Sequence, residues 1–389
     1  MATANGICCE NIASALIDNG YNVNIVAYAY NEKTYENIRG VNVYYAKCPC
    51  RALSGIAYKL YFYAKWMFKF SKYPITEIKK RTDAIFELSS RVVEEKNIDT
   101  VICVHLPIET LIAGVKLKEK YPNLNCISYM LDSLSGGFTP GLLPERFCRL
   151  RKIKWENNLL SRFDCAVLME ASRPHHEAKC KRLLWYKNAI YLDIPLLKVN
   201  DTDSHKKAKD KATVAFCGLL DFPARNVPLL LNVIEVQENS DIEYVLVGSS
   251  NISDKLKNNS PANVRYMGFL PHKSIADILL EADIFLNLGV TVPSAISGKI
   301  FEYMSYGKPI ISTYSIDNEA CLPYLKKYPC ALLIDEREKD IKNQAKKLEE
   351  FIIKNKDTRV NVNKIEEIFY NNTPKAFVRA LEKRFGENI

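Results

Sequence analysis

The chain has 389 residues, 48% of them hydrophobic and 25% charged, with a formal net charge of +9. At about 150 residues per domain this length suggests two or three domains, and the composition excludes a disordered or low-complexity chain. The positive excess suits nucleic acid, an anionic membrane surface or phosphorylated ligands, without choosing among them.

In chain order, Cys8, Ile12, Ala15 and Leu16 fall on one helical face, and Gly20 is placed to end that helix. Strands are predicted at 22–27, 100–104, 125–130, 164–168 and 189–192, with amphipathic segments between most of them. A strand–turn–helix unit should open with its strand, yet this chain opens at Asn5-Gly6, already in the turn. The expectation is a first strand upstream of Met1, because losing a central parallel strand would expose apolar surface on both sides.

Residues 55–73 (GIAYKLYFYAKWMFKFSKY) interleave aromatic residues with Lys59, Lys65, Lys69 and Lys72, and Lys79, Lys80 and Arg81 follow. Three readings stay open: the headgroup layer of an anionic membrane, RNA, or a packed helix whose lysines snorkel. RNA ranks last.

Residues 201–211 (DTDSHKKAKDK) read as a polar linker. The rhythm then restarts, with strands predicted at 213–217, 243–247, 264–267, 283–288, 309–313 and 330–334. Such alternation builds parallel sheets with helices on both faces. The fold class is therefore α/β, two Rossmann-like domains with parallel sheets facing a cleft. The expected boundaries are 1–198, a linker 199–211, 212–372, and a terminal helix within 373–389.

The 12 cysteines show no paired knuckle spacing of a zinc site. Cys103 and Cys217 sit in apolar runs, where a thiol behaves as a small hydrophobe. Reduced thiols, no secretory signal and no bilayer-length apolar run point to a cytoplasmic protein.

Residues 297–309 (SGKIFEYMSYGKP) carry the most specific chemistry. Ser297 is a good N-cap, Gly298 permits close backbone approach, and Lys299 lies in the first turn. A cation there is misplaced unless an anion sits with it. Lys299, Glu302 and Tyr306 share one helical face, and a lysine with a carboxylate suits the phosphate and ribose of a nucleotide. It is not a Walker loop, since Ile300 stands where Ser or Thr is required. The alternative is a surface helix with an incidental Lys–Glu pair.

Upstream, Gly218, Gly248 and Gly268 each follow a predicted strand, where open parallel sheets bind ligands. The set VAFCGLL, YVLVG, VRYMGFLP, IADILLEADIFLNL and KIFEYMSYGKPII resembles the C-terminal domain of GT-B glycosyltransferases, especially glycosyltransferase family 4. The resemblance spans about residues 212–335 and is weaker before that. It implies that Glu302 holds the donor ribose, that Gly218, Arg225 and Lys299 surround the diphosphate, and that Phe269 and Leu270 lie along the base. It also implies that Ser297 and Gly298 border the donor. The family's other glutamate should stand eight residues before Glu302, where this chain has Ser294. That leaves the donor sugar and the retaining or inverting outcome open.

His105 and Asp132 follow predicted strands and so face the expected cleft, where either would orient or deprotonate an acceptor hydroxyl. The bland alternatives are a strand-end filler and a turn cap. The turn at Gly6 is expected to line the same cleft. Asp201-Thr-Asp203 lies in the linker and is read as solvated rather than as a metal motif. His175-His176 is read as a surface feature at a helix start. No metal and no separate cofactor is expected.

The resemblance thus implies a glycosyltransferase that takes a UDP- or GDP-linked sugar donor and a saccharide or lipid-linked saccharide acceptor, as in surface polysaccharide synthesis. An anionic membrane surface is a possible partner through 55–73, on the inner face of the membrane; nucleic acid is not. A nucleotide-sugar epimerase and a non-catalytic donor-binding subunit share the fold and remain alternatives.

Overall fold

The computed structural model describes residues 4–29, 34–38, 40–47, 56–68, 77–136, 144–179, 188–198, 211–291 and 296–386. The linker residues 201–210, Ser294, and residues 69–76 of the aromatic-basic stretch lie outside them. The chain divides into two compact units, residues 5–195 with 375–389, and residues 1–4 with 196–374.

The first unit opens with α1 (Ala4–Asp18), whose Cys8, Ile12, Ala15 and Leu16 are all buried. Gly20, at φ +88°, ends it with an N–H donated to the Ile17 carbonyl. Then come β1 (Asn24–Ala29), β2 (Tyr35–Ile38) and β3 (Val41–Lys47), a sheet of order β1-β3-β2 with β1 parallel and β2 antiparallel to β3. Sequence reading finds only the first of these. β2 is largely exposed, so it lacks the apolar alternation that marks a strand.

Helices α2 (Ile56–Phe68) and α3 (Lys79–Lys96) lead to β4 (Thr100–His105). Next follow α4 (Ile108–Lys120), β5 (Asn125–Met130), α5 (Glu145–Leu160), β6 (Cys165–Met169), α6 (Arg173–Lys179) and β7 (Ala189–Leu192). Strands β4-β5-β6-β7 form a second, wholly parallel sheet. Among the described residues β1 and β4 each have a strand partner on one side only, so this unit carries two sheets where sequence reading expects one. Leu111, Ile112, Val115, Met130 and Leu168 pack the core between α4 and the sheet.

The second unit is a regular α/β sandwich. It runs β8 (Ala212–Cys217), α7 (Val227–Glu235), β9 (Ile242–Val247), α8 (Ser253–Asn258), β10 (Val264–Gly268) and α9 (His272–Glu281). It continues β11 (Ile284–Asn287), α10 (Lys299–Ser305), β12 (Ile310–Tyr314), α11 (Leu322–Lys327), β13 (Ala331–Asp335), α12 (Ile341–Asn355) and α13 (Val362–Ile368). All six strands are parallel, in the order β10-β9-β8-β11-β12-β13. The order reverses between β8 and β11, and open parallel sheets hold ligands at the carboxyl ends of such a pair. The last helix, α14 (Pro374–Phe385), returns to the first unit, where Phe377 meets the Tyr129 ring edge-on at 4.9 Å and Glu382 accepts from the Tyr21 hydroxyl at 3.1 Å.

The two parallel sheets fix their register by the same device. Asp164, just before β6, accepts the Cys126 N–H at 2.8 Å, and Asp283, just before β11, accepts the Thr213 N–H at 2.9 Å. Each carboxylate satisfies a backbone donor at the start of the adjacent strand. The thiols of Cys103 and Cys217 are buried among these strands, and burial pushes Cys217 up to about 12, a small apolar filler.

Candidate active site

At the carboxyl ends of β8, β9 and β10 three glycines stand side by side. The Gly218 N–H reaches the Val247 carbonyl, and the Gly248 N–H reaches the Gly268 carbonyl, both at 2.7 Å. Gly248 has φ +141°, and a Cβ there would collide with the Gly218 carbonyl oxygen. A Cβ on Gly218 would stand 2.7 Å from Lys299 Cε, so the Lys299 side chain lies directly over this glycine.

Lys299 opens α10, which has seven residues with Gly298, not Ser297, as its N-cap. Gly298 is in the right-handed helical region, no side chain caps the helix, and the Ser297 carbonyl accepts the Ile300 N–H at 3.2 Å. The Ser297 N–H instead goes to Cys321 Sγ at 3.2 Å. Gly298 is pressed against Leu196, whose Cδ1 would lie 2.5 Å from a Cβ. On the same helix Ile300, Phe301, Tyr303 and Met304 are buried, while Lys299 and Glu302 are half-buried. Tyr303 stacks on Phe285, and its hydroxyl oxygen accepts the Cys217 N–H of β8 at 3.0 Å. The packed face thereby aims the other face at Gly218. Among the described residues neither the Lys299 ammonium nor the Glu302 carboxylate makes an ion pair or side-chain hydrogen bond. Both charges act on Cys217, Lys299 lowering and Glu302 raising its thiol, which places them at the end of β8.

Arg225 donates to the Leu288 carbonyl at the end of β11, and burial lowers its guanidinium below the usual range. Phe269 is 56% exposed and Leu270 half-buried just after Gly268. Gly307, at φ +64°, ends α10 against Val360. Next to it, Lys308 is 2% exposed and donates to the Leu279, Leu280 and Ala282 carbonyls at 2.6–2.7 Å. It caps the carboxyl end of α9, a role that nothing local in Gly-Lys-Pro announces.

In the first unit, His105 ends β4 and is 4% exposed. Its Nδ1 lies 3.2 Å from the Asp132 carbonyl oxygen. A carbonyl can only accept, so the proton sits on Nδ1 and the lone pair on Nε2. Burial lowers the imidazole below its usual range, against the opposing pull of Asp132 and Glu156. The Asp132 side chain itself is exposed. Gly6 is not in a turn: it lies within α1, because the helix already begins at Ala4. Its neighbour Asn5 still reaches this site, donating to the His105 carbonyl at 3.4 Å.

The segment after β5 is held by groups that sequence reading missed. Glu156 on α5, 1% exposed, accepts from the Ser135 N–H at 2.8 Å, from the Ser133 hydroxyl and from His176 Nε2 at 3.0 Å. Burial would raise its carboxyl, but His176 and Ser135 outweigh burial and hold it below the usual range. His175 Nε2 lies 2.8 Å from Ser135 Oγ. The His175-His176 pair is thus a built network, not a surface feature, because α6 packs its start against α5. Arg81 is likewise no surface cation: it is 9% exposed, 3.8 Å from Glu109 and over the Tyr28 ring. On α2, Ile56, Leu60 and Met67 share one face and are 79%, 67% and 50% exposed, with Lys65 over the Tyr61 ring. No helix among the described residues is long and apolar enough to cross a membrane.

Residues 211–351 match the family of glycosyl transferases group 1. No curated protein matches the chain. Among solved structures, a glycosyltransferase from Rickettsia africae superposes with a TM-score of 0.61 at 11% identity, covering 100% of this chain and 96% of that one. The lipopolysaccharide outer core galactosyltransferase WaaB in its apo form gives 0.55 at 14% identity over 99% and 98%. HepE of Anabaena, in complex with UDP and glucose, gives 0.52 at 12% over 93% and 100%. At these identities the likeness establishes the shared two-domain GT-B fold.

Proposed function

We propose, from the premise that residues 211–351 form a group 1 glycosyl transferase domain, that this glycosyltransferase moves a sugar from a UDP- or GDP-linked donor to a saccharide or lipid-linked saccharide acceptor. The observation that carries this reading is the pair Lys299 and Glu302, unpaired among the described residues and aimed at Gly218 at the switch point of the second sheet. Lys299 meets the diphosphate and Glu302 accepts from the two ribose hydroxyls. Gly218 lets the phosphates approach backbone. Phe269, exposed beside Leu270, offers an apolar surface to the base. HepE was solved with UDP and glucose, which supports a nucleotide-sugar donor here.

The first unit supplies the acceptor chemistry. His105 Nε2, neutral and fixed in orientation, takes the acceptor hydroxyl proton as the acceptor oxygen bonds to the anomeric carbon and the sugar–diphosphate bond breaks. Asp132, exposed one strand away, orients the same acceptor. The His105→Gln enzyme is expected to lose 10²- to 10⁴-fold, the usual range for a general base, while nucleotide affinity stays within about twofold. Because burial lowers His105, wild-type activity should hold to a pH below the ordinary histidine range before it falls. Radiolabelled-donor turnover against pH, beside nucleotide titration of the variant, checks both; an unchanged turnover removes His105 from the mechanism.

The exposed Ile56–Leu60–Met67 stripe favours a lipid-linked acceptor, since a helix with an apolar face in water suits the interface of a membrane. Lys65, Lys79 and Lys80 would add attraction to anionic lipid. Cosedimentation with anionic vesicles is expected at low salt and should weaken as salt rises. Leu60→Glu should abolish it, and no binding at low salt retires the membrane contact.

The whole reading is tested by a thermal-shift screen against UDP, GDP, CMP and their sugar conjugates. Stabilisation by one nucleotide series is the expected result. An epimerase would instead turn over donor without an acceptor, and a binding subunit would transfer to none. No shift with any of the panel overturns the donor site.

A further inference from the structure

The turn that follows β5 is tied to one buried carboxylate. Glu156 on α5 accepts the Ser135 N–H on Oε2 at 2.8 Å and the His176 Nε2 proton on Oε1 at 3.0 Å. The Ser133 hydroxyl adds a third bond at 3.3 Å. Ser133 Oγ in turn accepts the Gly136 N–H at 3.1 Å and lies 3.0 Å from Ser135 Oγ. With His175 Nε2 at 2.8 Å from Ser135 Oγ, helices α5 and α6 both hold residues 133–136. The residue just before this turn is Asp132, whose carbonyl oxygen receives the Nδ1 proton of His105 at 3.2 Å.

We propose that Glu156 is a positioning residue for His105: by holding the turn 133–136 it keeps the Asp132 carbonyl against Nδ1, which leaves the Nε2 lone pair for the acceptor hydroxyl. The inference rests on the reading of His105 as the base, given above. It assigns a role to a buried charge that the packing of the core does not itself require, since a buried carboxylate is costly unless its donors are in place.

Each link in this chain of bonds has a fixed direction. A carboxylate only accepts, so Ser135, Ser133 and His176 must all present donors to Glu156. Such charge-assisted bonds are roughly twice as strong as neutral ones. With residues 133 and 135 fixed on one side and β5 on the other, the Asp132 carbonyl is kept from swinging away from the imidazole. A solvated imidazole exchanges its proton between two nitrogens, and a single facing carbonyl decides between them. Glu156 also acts on the ring itself: burial lowers His105, and Asp132 and Glu156 are the charges that oppose it.

The test is nitrogen NMR of the full chain labelled at histidine, at about pH 8, where imidazoles are neutral. The His105 signals are those missing from His105→Gln. In wild type the proton should favour Nδ1 about tenfold, the worth of one hydrogen bond in a buried place. Glu156→Ala should cut that preference about tenfold, toward the ratio of a solvated imidazole. Glu156→Gln has nearly the same shape and keeps an oxygen for the Ser135 N–H, so it should cut the preference severalfold, and it carries the test even where Glu156→Ala does not fold. Val115→Ala, a core change in the same unit, should keep the wild-type preference. An equal loss in Val115→Ala would mean general loosening and overturns the proposal. An unchanged preference in Glu156→Gln, or a proton on Nε2 in wild type, overturns it as well. The readout needs no substrate, which separates it from the base reading. Full turnover by His105→Gln removes that reading and this inference with it, whereas lost turnover there beside an unmoved tautomer in Glu156→Gln removes this inference alone.

Discussion

Glu302→Ala is expected to lose nearly all stabilisation by the nucleotide that the wild type binds. Two hydrogen bonds from ribose hydroxyls to one carboxylate contribute about 3 kcal/mol together, at the lower end for charged acceptors. That is on the order of a hundredfold in affinity. At a ligand concentration a hundred times the wild-type dissociation constant, binding adds ~2.7 kcal/mol; after a hundredfold loss the same concentration adds only about 0.4 kcal/mol. For a unit of this size the melting shift should fall from several degrees to about one. Glu302 is half-buried and its carboxylate bonds to no described residue, so the unliganded variant should melt within about 2 °C of wild type. Glu302→Gln keeps the acceptor without the charge and should lie between. An undiminished shift in Glu302→Ala would mean that this carboxylate does not face the ribose.

Lys308→Met is expected to produce the largest loss of stability of any single change near the site. The lysine is buried and its ammonium satisfies three carbonyls, at Leu279, Leu280 and Ala282, at the end of α9. Methionine fills the space but leaves those acceptors without a donor in a place water does not reach. Each orphaned buried acceptor costs about 1–3 kcal/mol, so the total is about 3–5 kcal/mol after partial relaxation. The melting temperature should drop by roughly 10 °C, checked by calorimetry or circular dichroism. Because Lys308 directly follows Gly307 at the end of α10, the variant should also bind nucleotide more weakly. A drop of less than 2 °C would show that the helix end repairs itself and that this lysine is dispensable.

Much of the second unit was legible from the sequence because its signals are local. Each of its strands is a short apolar run, and Gly218, Gly248 and Gly268 mark strand ends where backbone must approach backbone. The spacing of Lys299 and Glu302 placed them on one face before any neighbour was known. The first unit was less legible. The exposed β2 gives no alternation to read. Gly6 looked like a turn because glycine is the usual turn residue, yet the helix begins two residues earlier. The adjacent histidines looked like surface, since no local pattern reveals that Glu156 waits on another helix to receive His176.

The sequence by itself determined the α/β alternation and the helical face that carries Lys299 and Glu302, because backbone propensity and periodicity act over a few residues. Only the tertiary structure decided what surrounds those charges. The reversal of strand order between β8 and β11, the Lys308 cap on α9, the Glu156 network behind His105, the Asp164 and Asp283 bonds to neighbouring strands, and the Ser297–Cys321 bond each join residues about twenty or more positions apart. A buried polar group takes whichever partner the packed fold brings to it, and no pattern along the chain encodes that partner.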